Sequence, residues 1–211
     1  MTSTTSPEET LAIYKSAMGD RLGTIYYAIY CEVVFLNARW GQYRDLFAAD
    51  QETIDLLNRH GQFLFRVLQD SLWEQTLLHV ARLTDPPRSR DNENLSIDQL
   101  VELVPDELVR GAAANLAAIC KEKSKFAREH RNKRIAHRDL GHALKEAPEP
   151  LNGVSRAHVE EMLSSLAALL NLLEKHYRNS TSILKPFGSG GARSLILDLK
   201  KLEALQRERG M

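Results

Sequence analysis

Between Thr53 and Leu83 apolar residues recur every three or four positions on two faces at once. Leu57, Leu64, Leu68 and Leu72 mark one stripe, and Phe65, Trp73, Leu77 and Val80 mark the other. That spacing is the period of an α-helix, and a helix apolar on two faces belongs at the centre of a bundle. The rest of the chain has to supply helices that cover both faces.

It does. A first helix begins after Ser6-Pro7, with Leu22, Ile25, Tyr26, Ile29, Val33, Leu36 and Trp40 at helical spacing and Gly19 and Gly23 as points of breakage or bending. The prolines and turn formers of "TDPPRSRDNEN" stop the pattern. Ser96 then reads as the cap of a short helix, "SIDQLVELV", and Pro105-Asp106 opens another whose stripe is Val109, Ala112, Leu116, Ile119, Phe126 and His130. Ser155 caps a helix with Val159, Met162, Leu163, Leu166, Leu169, Leu170, Leu173 and Tyr177 inward. No strand alternation and no internal repeat stands out. The fold class is therefore all-α, a bundle of four or more main helices over residues 1–186. A Gly/Ser linker follows over 187–193, then a tethered C-terminal helix over 194–211, capped by Ser194 with Leu195, Leu199 and Leu202 on one side.

At 211 residues, 43% of them hydrophobic, the chain is long enough to bury a core without disulfides or metals. No apolar run approaches the ~20 residues of a membrane span, and "MTSTTSPEET" has no secretory pattern. Cys31 and Cys120 are too few for a disulfide framework and read as packing residues, so a reducing cytoplasm is the expected compartment. His60, His79, His142, His158 and His176 lack metal-ligand spacing, and "FGSGGAR" lacks the Lys-Ser/Thr ending of a phosphate loop. Neither a metal nor a cofactor is expected. His79 reads as a residue at the edge of the core with one ring nitrogen bonded, and Arg82 and Asp85 as a local pair.

The formal net charge is zero, yet it is unevenly placed. Residues 121–139 carry eight Lys and Arg against three acids, a net of +5, while residues 84–107 carry seven acids against two Arg, a net of −5. The acidic stretch is a candidate counterweight to the basic one. Inside the basic stretch lies "RNKRIAH", with Arg131, Asn132 and, six positions after the Arg, His137. Histidine exchanges protons near neutrality, and arginine presents a fixed fork that matches phosphate. RNA carries its own nucleophile, the 2′-hydroxyl, beside each phosphate. One imidazole and one guanidinium are therefore enough to cleave RNA without a metal. Six residues of straight α-helix turn through about 600°, which puts Arg131 and His137 roughly 120° apart. Either the helix breaks between them or a second copy of the chain completes the site. The competing reading is a solvated helix face on a non-catalytic module that binds a nucleotide, an RNA or a protein.

The Arg-Asn-x4-His pattern, preceded by "LWEQTLLHVARLTDPP" and "LSIDQLVEL", resembles the HEPN superfamily (higher eukaryote and prokaryote nucleotide-binding) and, within it, the abortive-infection U-type branch, over roughly residues 20–178. The resemblance implies an α-helical bundle that forms a homodimer through the motif helices. In active members it implies a metal-independent endoribonuclease, often the toxin of a defence or toxin–antitoxin pair. By position, Arg131 would bind phosphate, His137 would serve as acid and base, and Asn132 would support them. Arg128, Lys133, Arg134 and Arg138 are the flanking candidates for RNA phosphates. The implied partners are RNA, a second copy, and a nucleotidyltransferase-like antitoxin.

Overall fold

The computed structural model describes residues 5–135, 144, 154–184 and 190–209. Ser6 opens helix α1 (Pro7–Met18): its hydroxyl accepts from the Glu9 N–H at 3.1 Å, and its own N–H donates to the Glu9 carboxylate at 2.8 Å. This reciprocal pair satisfies two end donors of the helix. Gly19, at φ 84°, ends α1, and α2 (Asp20–Phe47) starts at once. Only glycine takes that φ without a steric cost. The two helices then pass so closely that a Cβ on Gly23 would meet the Tyr14 carbonyl oxygen at 2.5 Å.

Helix α3 (Gln51–Leu83) is interrupted at Gly61. Its start is fixed by Asp50, whose carboxylate accepts from the Thr53 N–H at 2.7 Å and is held below its ordinary pKa by that bond. After α3 comes a small antiparallel hairpin, β1 (Arg88–Ser89) and β2 (Asn92–Glu93), with Arg88 opposite Glu93 and Ser89 opposite Asn92. Two-residue strands are too short to carry an alternation, which is why the sequence shows none. The order continues with α4 (Ile97–Glu102), α5 (Glu107–Lys123), α6 (Lys125–His130), a π-helical turn (Arg131–Ile135), α7 (Arg156–Arg178) and α8 (Ala192–Glu208). The all-α expectation holds, with eight α-helices among the described residues.

Two compact units divide the chain. The first, Met1–Phe35 with Leu77–Leu184, has α7 as its spine. Helix α7 packs on α5 and on α1, and α4 packs on α5. Every inward position expected of α7 from Val159 to Leu173 is buried. The buried face of α5 is Ala113, Ala117 and Cys120 instead of the stripe with Ala112 and Ile119; Ile119 is 45% exposed. Small side chains on the buried face allow close approach of a neighbouring helix, and α5 packs on α7. Glu174, only 1% exposed, was not expected inside. It is satisfied there by donors: Tyr26 Oη at 2.9 Å, Arg178 Nη1 at 2.6 Å and Ser180 Oγ at 2.9 Å. His79 is buried with Nε2 at 2.5 Å from the Glu32 carboxylate, as its place at the edge of the core suggested. Of the two cysteines only Cys120 is buried, and Cys31 is exposed.

The second unit, Leu36–Thr76 with Lys185–Met211, centres on Leu46, Leu57, Phe65 and Ala192, with Leu68, Leu72, Ile196 and Leu199 against them. Leu64 stands outside at 64% exposure. Helix α8 begins at Ala192, before Ser194, and Gln42 Oε1 caps it by accepting from the Ala192 N–H at 2.7 Å. It turns Ala192, Ile196 and Leu199 inward, while Leu195 and Leu202 are exposed. Arg59 holds Glu203 with two bonds of 2.8 and 3.0 Å, and Arg193 holds Asp45 at 3.0 Å. The C-terminal helix is thus docked within its own chain by ion pairs as well as by apolar contact.

Candidate active site

The basic stretch is not one helix. Helix α5 ends at Ser124, whose backbone is helical but whose hydroxyl accepts and donates locally: Oγ donates to the Lys121 carbonyl at 2.9 Å. A serine that bonds back to the preceding turn loosens the helical ladder. Helix α6 then lasts six residues, and at Arg131 the winding widens into the five-residue π-turn. Such turns are uncommon and favour functional sites. From Arg131 to Ile135 the winding is therefore not that of the straight helix used to separate Arg131 from His137, and His130 just before it is buried.

Arg131 opens the π-turn. Its Nη1 lies 2.6 Å from both oxygens of Asp85, and its Nε donates to Asn132 Oδ1 at 3.1 Å. Both ion-pair side chains are 23% exposed. Asp85 sits just past the end of α3, where its N–H donates to the Arg82 carbonyl at 3.2 Å. Its carboxylate goes to Arg131, so the expected Arg82–Asp85 pair is replaced by one that joins the end of α3 to the motif. A guanidinium held by a carboxylate on one edge and an amide on another has a fixed plane. Among the described residues no acceptor is recorded for Nη2 of Arg131.

The neighbouring cations are placed in different ways. Arg128 is given over to backbone: Nη2 donates to the Lys121 carbonyl at 2.8 Å and to Ser124 Oγ at 3.2 Å, and Nη1 to the Thr84 carbonyl at 3.4 Å. It closes the α5–α6 break and ties it to the end of α3. Lys133 pairs with Glu129 at 3.2 Å. Lys121 pairs with Asp98 at 2.9 Å, Lys123 with Glu161 at 3.4 Å and Lys125 with Glu122 at 2.6 Å. Arg134 contributes its backbone to the π-turn, while His137 and Arg138 lie outside the described residues. The structure thus brings Arg131, Asn132 and Asp85 together, with His137 outside the described residues. Two of the carboxylates that pair with these cations, Asp85 and Asp98, come from the acidic stretch.

Sequence reasoning missed Asp85 as a member of this cluster. The available signal was its place before Pro86: proline disfavours α-helix for the residue ahead of it, so Asp85 ends α3 and is released from it. Among the described residues no group of three or more His, Cys, Asp or Glu side chains is arranged to hold a metal ion. No helix of the described residues is long and apolar enough to cross a membrane.

A comparison with protein families matches the HEPN_AbiU2 model, described as AbiU2, over residues 17–195. No curated protein and no solved structure matched the chain. The match runs from the end of α1 into the first turn of α8 and takes in the Arg-Asn-x4-His motif with the Asp85 cluster, so the chain belongs to the HEPN_AbiU2 family.

Proposed function

We propose that this protein is a metal-independent endoribonuclease acting as a homodimer, the toxin of a toxin–antitoxin or abortive-infection system. The observation that carries the reading is the fixed guanidinium of Arg131 at the start of a π-turn, held between Asp85 and Asn132. Such a group binds a phosphodiester in one orientation and stabilises the extra negative charge of the transition state. In the proposed reaction the ribose 2′-oxygen attacks phosphorus while an imidazole takes the 2′-hydroxyl proton. The P–O5′ bond breaks, and the leaving oxygen receives a proton. The products are a 2′,3′-cyclic phosphate and a free 5′-hydroxyl. His137 is the acid/base in this scheme, taking the 2′-hydroxyl proton and returning one to the leaving oxygen, and a second copy of the chain brings the imidazole of one protomer to Arg131 of the other across the two-fold axis. Asp85 and Asn132 position Arg131. A nucleotidyltransferase-like antitoxin is the protein partner this role calls for.

A second reading, a non-catalytic module for a nucleotide, RNA or protein, is favoured by the ion pairs that occupy Lys121, Lys123, Lys125 and Lys133. Incubation of total RNA with the wild type and with His137→Ala, each in excess EDTA, separates the two. The enzyme reading expects cleavage by the wild type and a loss of about 10²–10⁴-fold in the variant. Equal activity in both, or strict dependence on added metal, overturns it.

A further inference from the structure

We infer that the β1–β2 hairpin grips the phosphodiester backbone of single-stranded RNA through Arg88 and Arg90. This rests on the reading of Arg131 as a phosphate-binding group. Three observations lead to it.

The first is position. The hairpin follows Asp85 through Pro86 and Pro87, and Asp85 holds Arg131. Three residues of chain reach at most about 10 Å and five at most about 18 Å, so both arginines stand within a few nucleotides' length of the proposed scissile phosphate. The second is rigidity. Asn94 closes the base of the hairpin, its N–H donating to the Pro87 carbonyl at 2.8 Å and its Nδ2 to the Pro86 carbonyl at 2.8 Å. Arg21 and Gln99 hold Glu93 at 2.9 and 3.4 Å. A grip on a hairpin anchored at its base loses little freedom on binding.

The third is the turn itself. Arg88 and Arg90 are exposed, and Arg90 takes the first of the two loop positions at φ 55°. That left-handed conformation suits glycine or asparagine, and stability alone would place one of them there. A strained, exposed arginine beside a candidate site is an outlier from which function is inferred. Charge agrees with this. Glu93 is paired with Arg21 and Asp85 with Arg131, so the tip presents two arginines against Asp91, although the stretch around it is acidic as a whole. Among the described residues neither Arg88 nor Arg90 belongs to an ion pair. Arginine forks match phosphate oxygens, and a basic surface that tracks the backbone is how single strands are held.

The test is fluorescence anisotropy with a labelled single-stranded RNA oligonucleotide, using full-length His137→Ala so that the probe survives. The double substitution Arg88→Ala/Arg90→Ala in that background should weaken binding at least about tenfold. It should also lower the slope of log affinity against log salt by about 1.4, since each phosphate contact on a single strand contributes about 0.7. Arg90→Gly should weaken RNA binding and raise the melting temperature by roughly 2–4 °C, because the strain is relieved. A merely structural arginine would not move the two readouts in opposite senses. Unchanged affinity and slope in the double variant overturn the inference, as does an RNA that does not bind the parent at all; both outcomes would leave an acidic protein segment as the hairpin's ligand. The enzyme reading fails separately: a wild type that does not cleave RNA, but whose binding depends on Arg88 and Arg90, sinks the catalysis and keeps the grip.

Discussion

Helix α7 runs unbroken for 23 residues, whereas the facing stretch from Glu107 to Ile135 is built in three pieces: 17 residues of α5, six of α6 and five of π-turn. Helix α7 is capped at both ends, by the Ser155–His158 capping box and by Asn179 in a left-handed conformation, and it buries nine residues. The broken stretch buries small or polar groups, among them Ala113, Ala117, Ser124, Ala127 and His130, and spends its long cations on carbonyls and carboxylates. One element supplies apolar free energy and a rigid spine. The other rests its first piece on that spine and ties its irregular backbone to the end of α3 through Arg128 and Arg131. A motif arginine at the head of a π-turn needs such support, since a free peptide would not keep that winding.

The sharpest way to break this contrast is a cavity in the spine. Leu166→Ala should cost about 2–5 kcal/mol of stability by denaturant unfolding, as a fully buried leucine replaced by alanine does. A loss below about 1 kcal/mol would mean that α7 does not bear the unit. The matching change on the other side is Asp85→Ala. It frees the Arg131 fork and should lower kcat roughly 10–100-fold, while stability changes by no more than about 1 kcal/mol for this quarter-exposed pair. A large drop in stability with cleavage intact would make Asp85 a structural residue and erase the difference between the two regions.

The helices packed around the spine have their own signature at high pH. Burial pushes the Cys120 thiol of α5 up to about 12 and, with help from Glu174, pushes the Tyr14 hydroxyl up to about 12. Both groups hold their protons more tightly folded than unfolded. Their contribution is complete below the ordinary thiol value near 9 and is lost as pH rises toward 12. The urea midpoint should therefore be flat up to about pH 9 and fall beyond it, and Cys120→Ala should delay the onset toward the ordinary tyrosine value near 10. An unchanged onset in the variant would place Cys120 outside the packed seam. The smallest expected effect is that of Lys125→Ala, which removes an exposed pair with Glu122 and should change stability by less than about 0.5 kcal/mol. A larger loss would show that the ion pairs of the broken stretch bear weight of their own.

The regular parts of the molecule were legible in the sequence because apolar period is a local signal. The inward faces of α2 and α7, from Leu22 to Trp40 and from Val159 to Leu173, are the buried ones. The α5 face was misread because alanine carries little hydrophobic signal, and a small-residue face is chosen by its partner helix. Nothing local announces how α8 docks, since Glu203's partner Arg59 lies 144 positions away in sequence. At the motif, the spacing singled out Arg131 and Asn132 but said nothing of what holds them. Asp85 was not legible, since its partner is 46 residues distant and the turn that frees it is shaped by Pro86. The charge blocks of +5 and −5 gave the right hint of an internal match but not its pairs.

The central claim is that Arg131 and His137 work together across two copies of the chain. It is tested most directly by mixing Arg131→Ala with His137→Ala and measuring cleavage of total RNA after subunit exchange. Each variant alone should be inactive. In the mixed dimer one site regains an intact arginine from one protomer and an intact histidine from its partner, so cleavage should return to as much as about half of the wild-type rate in those dimers. A mixture that exchanges subunits and stays inactive, beside a wild type that cleaves, would contradict the shared site.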